Sequence, residues 1–178
     1  MPAGERDPLA TSLGSLAHLY LEMMARDGLE RWSAQRIREL HPAMTAWLIQ
    51  QGHAQAAAQQ GARQLADALA TTLDSESGRW VLRPRPDAAA ELALSSSNAD
   101  GSIATHVVDR TFIENGERWI IDYKLVRHEG GGLEAFLQQR AEEYRPQLER
   151  YAALFADEEL PLRKGIYFIA QGQLVSLG

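Results

Sequence analysis

A chain of 178 residues, 45% hydrophobic and 24% charged, has the make-up of a globular protein that buries one ordinary core. The absence of cysteine excludes disulfides, thiolate metal sites and cysteine nucleophiles, and a net charge of −6 argues against a surface that grips nucleic acid by bulk electrostatics. No apolar run approaches the roughly 20 residues that cross a bilayer and the first ten residues do not resemble a signal peptide, so the cytoplasm is the expected compartment.

Residues 1–74 read as helical. Leu13, Leu16, Leu19, Tyr20 and Met23 recur at helical spacing, with Thr11 or Ser12 as N-cap and Gly28 as the stop. A second helix begins near Ser33 and breaks before Pro42; a third runs to about Gln51 and stops at Gly52. The Ala- and Gln-rich stretch Ala54–Leu73 is a helix on propensity. After the Asp74–Gly78 turn the texture changes to short β-like runs at 79–82, 90–94, 103–113, 118–123, 165–170 and 173–177. A helical block, 133–156, follows the glycine-rich loop 127–132, and Pro146 fits the first turn of the helix that carries Gln147 and Tyr151. This order specifies an α/β or α+β domain with a helical N-terminal part and no linker long enough to separate two domains.

The segment Val107–Lys124 is the most informative. Asn115-Gly116 favours a two-residue type I′ hairpin, because both central residues need positive φ. That turn sets the register: Glu114 faces Glu117, Phe112 faces Trp119 and Asp109 faces Asp122. Directly opposed residues have Cβ atoms about 4.5–5.5 Å apart. Two facing carboxylates repel, and a divalent cation offsets the repulsion; magnesium accepts one or two carboxylates and fills its other positions with water and phosphate. Lys124 lies two residues beyond Asp122 on the same side of the strand, where an ammonium would stabilise anionic charge and orient a water. The pattern suits metal-assisted phosphodiester hydrolysis. A plainer reading stays open here: a solvated Asp–Lys ion pair at a strand end.

Val108-Asp109-Arg110, the hairpin, and Ile120-Ile121-Asp122-Tyr123-Lys124 resemble the core of the PD-(D/E)XK nuclease superfamily, and more narrowly the C-terminal nuclease domain of RecB- and AddA-type helicase–nucleases (exonuclease V). Gln147-xxx-Tyr151 is similar to that branch's QxxxY helix, and Gly14-xxx-His18 to its upstream helix that brings a histidine to the metal. Glu91 sits where related sequences often carry an acidic residue. Two features depart from the superfamily pattern: Val108 replaces the nominal proline, and His106 stands where many relatives have glycine. The sequence carries no phosphate-binding glycine-rich loop of a helicase.

The resemblance implies a restriction-endonuclease-like mixed β-sheet flanked by helices. It implies a single nuclease domain over 1–178, with residues 1–74 carrying the His motif and 75–178 the sheet, cut from a larger helicase–nuclease. The implied activity is Mg2+-dependent cleavage of DNA, with Mn2+ as a substitute ion, leaving 5′-phosphate and 3′-hydroxyl ends. Asp109, Asp122, the Tyr123 main-chain carbonyl and His18 would hold the ion, while Lys124, Gln147 and Tyr151 act on water and phosphate. The implied substrate is a single strand fed by a helicase domain or subunit. Arg127, Arg140 and Arg145 either line a strand path or are solvated, and His41, His53 and His128 read as structural. The alternative from another class is a catalytically inactive nuclease-fold module that binds DNA or acts as a scaffold.

Overall fold

The computed structural model describes residues 7–97 and 99–178, apart from the side chains of Glu91, Ser96 and Ala104. It divides into two compact units, one formed by residues up to Leu82 with Ile169–Gly172 and one by Arg83–Phe168 with Gln173–Gly178. No described helix is long and apolar enough to cross a membrane.

The first unit is helical: α1 (Pro8–Asp27), α2 (Ala34–Glu39), α3 (His41–Gln50), α4 (Gln55–Asp74) and α5 (Glu76–Leu82), with a 3₁₀ turn at Leu29–Arg31. Helix α1 starts earlier than Thr11, because Asp7 caps it by accepting from the Leu9 N–H at 3.0 Å and Pro8 occupies the first turn. Its buried face is Leu13, Leu16, Ala17, Tyr20, Leu21 and Met24, whereas Leu19, expected inside, is 48% exposed. Residues 79–82 are helical rather than a strand. Ser75 caps α5 through its Oγ, 3.0 Å from the Gly78 N–H, and a run as short as Trp80-Val81-Leu82 carries no period of its own. Gly61 in α4 lets α1 approach closely: a Cβ there would lie 3.2 Å from a Leu13 methyl.

The second unit is a five-stranded mixed sheet in the order β1 (Ala89–Ser97), β2 (Ile103–Glu114), β3 (Glu117–Lys124), β4 (Leu162–Phe168) and β5 (Gln173–Ser176). Only β3 and β4 run parallel, and the crossover this demands is α6 (Leu133–Ala153), which packs on β3, β4 and β5. Val108, Ile120, Ile166 and Phe168 of the sheet meet Leu137, Ala141, Leu148 and Tyr151 of α6 in one core. Pro146 lies in the interior of α6, not in its first turn. Lacking an N–H, it takes the helix donor from the Glu142 carbonyl. The helix continues because Leu137 and Ala141 before it and Leu148 and Ala152 after it are all buried.

The β2–β3 hairpin has the register its turn dictates, from Glu114 opposite Glu117 to Arg110 opposite Ile121. Asn115 and Gly116 have φ of 52° and 76°. A β-branched side chain is strained there, so Gly116→Val is expected to cost about 1–2 kcal/mol in denaturant unfolding. A wild-type midpoint would show that this bend does not fix the hairpin.

Candidate active site

The ladder between β2 and β3 stops at Arg110 and Ile121, one residue before the two aspartates. Continuing that register places Asp109 opposite Asp122. Here β2 leaves β3, and the Asp109 carboxylate takes the place of a strand partner: its Oδ2 accepts from the Tyr123 N–H at 2.8 Å. A strand residue turns its N–H and C=O to the same neighbour, so the Tyr123 carbonyl also faces the Asp109 side. On its other edge β3 stays paired with β4 through Lys124. The site thus lies where the central strand keeps one neighbour and loses the other.

Both carboxylates are withdrawn from solvent, Asp109 at 6% and Asp122 at 3% exposure. Lys124 Nζ lies 2.9 Å from Asp122 Oδ2. The approach is close but badly angled, and no described donor makes an aligned hydrogen bond to that oxygen. Burial acts to strip the Lys124 proton; the charge and proximity of Asp122 outweigh it, and the ammonium is held above its ordinary pKa. Lys124 is therefore a cation at neutral pH.

Helix α6 covers this strand end with one stripe of side chains, Arg140, Tyr144, Gln147 and Tyr151, spaced four, three and four residues apart. Lys124 Nζ sits 4.4 Å from the centre of the Tyr144 ring. Gln147 Nε2 donates to the Tyr151 hydroxyl at 2.8 Å. Burial raises the pKa of that hydroxyl and the Asp122 charge raises it further; Gln147 acts against them, with smaller contributions from Asp109 (raising) and Lys124 (lowering). Tyr151 thus feels all three charged groups. Its ring also belongs to the core, with Leu148. The His106 ring meets it edge-on at 6.0 Å.

His18 lies half-buried midway along α1, in the first unit, with Glu22 one turn further on. Glu91 is a residue of β1 whose side chain falls outside the described residues. The other histidines have local partners: His41 the Gln59 carbonyl, His53 the Ser12 hydroxyl, and His128 the Gly131 carbonyl and the Phe136 ring. Among the arginines, Arg127 pairs with Glu129 and Arg145 with Glu142 and the Leu177 carbonyl. Arg140 alone of the three belongs to the stripe, donating to the Tyr144 hydroxyl at 3.0 Å and to Glu143 at 2.8 Å. Tyr144 escaped the sequence reading, although its spacing from Gln147 and Tyr151 places it on their face.

Two buried carboxylates, one oxygen lacking an aligned donor and a main-chain carbonyl turned to the same gap make a hard-oxygen set that fits a divalent cation. Among the described residues no group of three or more His, Cys, Asp or Glu side chains forms a cage. No curated protein matches the chain. The sequence model of the PD-(D/E)XK nuclease superfamily matches residues 2–176, which takes in both aspartates, Lys124 and the α6 stripe. With the mixed sheet and its flanking helices agreeing, the chain belongs to the PD-(D/E)XK nuclease superfamily.

Proposed function

We propose that this chain is a magnesium-dependent deoxyribonuclease acting as the exonuclease module of a RecB/AddA-type helicase–nuclease in DNA repair and recombination. Superfamily membership points to nuclease activity. The observation that carries the finer reading is the meeting of Asp109, Asp122 and Lys124 at the open edge of β3 under the Gln147–Tyr151 pair. Asp109, Asp122 and the Tyr123 carbonyl would hold the ion, with His18 as a further ligand on the strength of the Gly14-xxx-His18 motif. Bound magnesium supplies polarisation of the phosphate and a lower pKa for its water.

The protein's own groups do the rest. Lys124, kept protonated by Asp122, donates to the attacking water and to phosphate oxygens, stabilising the charge that builds on phosphorus. Its compact, movable ammonium suits this better than a rigid guanidinium would. Tyr151 accepts from Gln147 and keeps its own O–H for a phosphate oxygen. Water adds to phosphorus as the bond to the 3′ oxygen breaks, leaving 5′-phosphate and 3′-hydroxyl ends. The net charge of −6 accords with a module fed single strands by a helicase that supplies most of the DNA grip.

The test is degradation of single-stranded DNA with Mg2+, with Mn2+ and with chelator. Cleavage is expected with either ion and not with chelator, and Lys124→Ala is expected to slow it about 10²–10³-fold. Cleavage that survives both Asp122→Ala and Lys124→Ala would remove the site assignment. Stable strand binding with no metal-dependent cleavage would mark a non-catalytic DNA-binding module instead. In the same assay His18→Ala is expected to raise the Mg2+ concentration for half-maximal rate about 10- to 100-fold. An unchanged requirement would take His18 out of the ligand set.

A further inference from the structure

We propose that Tyr144 is a positioning residue for Lys124, its ring face holding the ammonium over the carboxylate pair; this rests on the nuclease reading above. A lysine is a point charge on a flexible four-carbon stem, and its head goes where its contacts hold it. Among the described residues Lys124, with a side chain 24% exposed, has two such contacts: Asp122 Oδ2 at 2.9 Å and the Tyr144 ring at 4.4 Å. The first is compromised by the chemistry assigned to the site, because a carboxylate that shares its charge with a cation pulls less on an ammonium. The second is not, since the face of an aromatic ring attracts a cation whatever Asp122 is doing.

The ring is itself held. Arg140 donates to the Tyr144 hydroxyl at 3.0 Å, its guanidinium carbon lies 5.6 Å from the ring centre, and Glu143 holds Arg140 from the other side at 2.8 Å. The stripe thus has two levels. Gln147 fixes Tyr151, and Arg140 fixes Tyr144, about two helical turns apart on the same face. Sequence comparison by the QxxxY pattern alone sees only the first level.

Two measurements test this, one independent of catalysis. The chain has two lysines, Lys124 and Lys164, so lysine-selective ¹³C labelling gives two ε-methylene resonances, assigned with Lys164→Arg. A methylene beside the face of the Tyr144 ring is shifted upfield of its Lys164 counterpart. That shift is expected to persist in Tyr144→Phe and to vanish in Tyr144→Leu, or in Tyr144→Met should the leucine variant not fold. In the cleavage assay Tyr144→Leu is expected to lower kcat about tenfold at unchanged KM. Tyr144→Phe is expected to restore most of the rate, and Tyr144→Leu to add nothing to Lys124→Ala. An unshifted wild-type resonance, a shift that survives in Tyr144→Leu, or an undiminished Tyr144→Leu effect in the Lys124→Ala background would overturn the assignment. Absence of any metal-dependent cleavage by the wild type would count against the nuclease reading, while the resonance would still decide where the Lys124 head sits.

Discussion

Asp122→Asn is expected to lower Mg2+-dependent cleavage by about 10³-fold or more while moving the unfolding midpoint by no more than about 4 °C. The two effects separate because Asp122 does different things in them. For catalysis it is one of two carboxylates facing the gap between β2 and β3, and asparagine offers an ion a neutral oxygen in place of a charged one. For stability it pairs with one ammonium, and Lys124, 24% exposed, can turn its head into water when the pair is lost. Removing one member of a buried ion pair costs several kcal/mol only when the other is trapped without solvent. Asp109 keeps its bond to the Tyr123 N–H in the variant, so the strand junction stays tied. Single-turnover cleavage beside a circular dichroism melt decides the matter. A loss under tenfold would remove Asp122 from the metal site, and a collapse of the melt would make it a structural residue.

The largest stability effect is expected away from the site, at Glu158. Arg118 of β3 has a side chain only 9% exposed, and it makes a bidentate ion pair with Glu158 in the 3₁₀ turn Ala156–Glu158. Its guanidinium also reaches the Asp87 carbonyl and the Thr111 hydroxyl, each at 3.4 Å, and lies over the Phe155 ring. The partners are unequal, since the Glu158 side chain is 28% exposed and that of Arg118 only 9%. Glu158→Gln, which strands the buried cation, is therefore expected to cost about 2 kcal/mol, and Arg118→Met, which frees an acid that can solvate, about 1 kcal/mol. The hydrogen bond from Arg118 holds the Glu158 carboxyl below its ordinary 4.5. Such a group contributes stability above its unfolded pKa and loses it as pH falls through the lower folded value. Urea midpoints between pH 6 and 3 should thus fall less steeply in Glu158→Gln than in the wild type. Parallel pH profiles would refute the role assigned to this pair.

Much of the architecture was legible because short-range rules dominate it. Asn115-Gly116 admits one kind of hairpin, and that hairpin fixed which residues of β2 and β3 stand opposite. Ser33, Gly28 and Gly52 punctuated the first helices in the manner their conformations require. The misreadings arose where tertiary packing decides. Residues 79–82 are too few to show a period, and Ser75 made them a helix. Pro146 reads as a helix start, yet burial on both sides carries α6 through it. At the site, Asp109, Asp122 and Lys124 stood out because like charges at facing positions demand a reason. Tyr144 did not, because a tyrosine on an amphipathic helix looks like any core aromatic until the strand beneath it is known. The end of the β2–β3 ladder was equally hidden, since it follows from the Asp109 carboxylate reaching a main-chain N–H, which no alternation of residue types announces.

The parallel neighbour of β3 has a consequence for how fragments of this chain should behave. Every motif residue, from His18 to Tyr151, precedes β4, which begins at Leu162 and pairs with β3 along its whole length through Lys124. A truncation after Phe155 would satisfy any motif search and still lack the strand that holds Asp122 and Lys124 in line. Because that pairing closes only after a long crossover, a chain clipped before Leu162 is expected to leave Asp122 and Lys124 without an ordered parallel neighbour, a state that only the docking of residues 162–168 relieves.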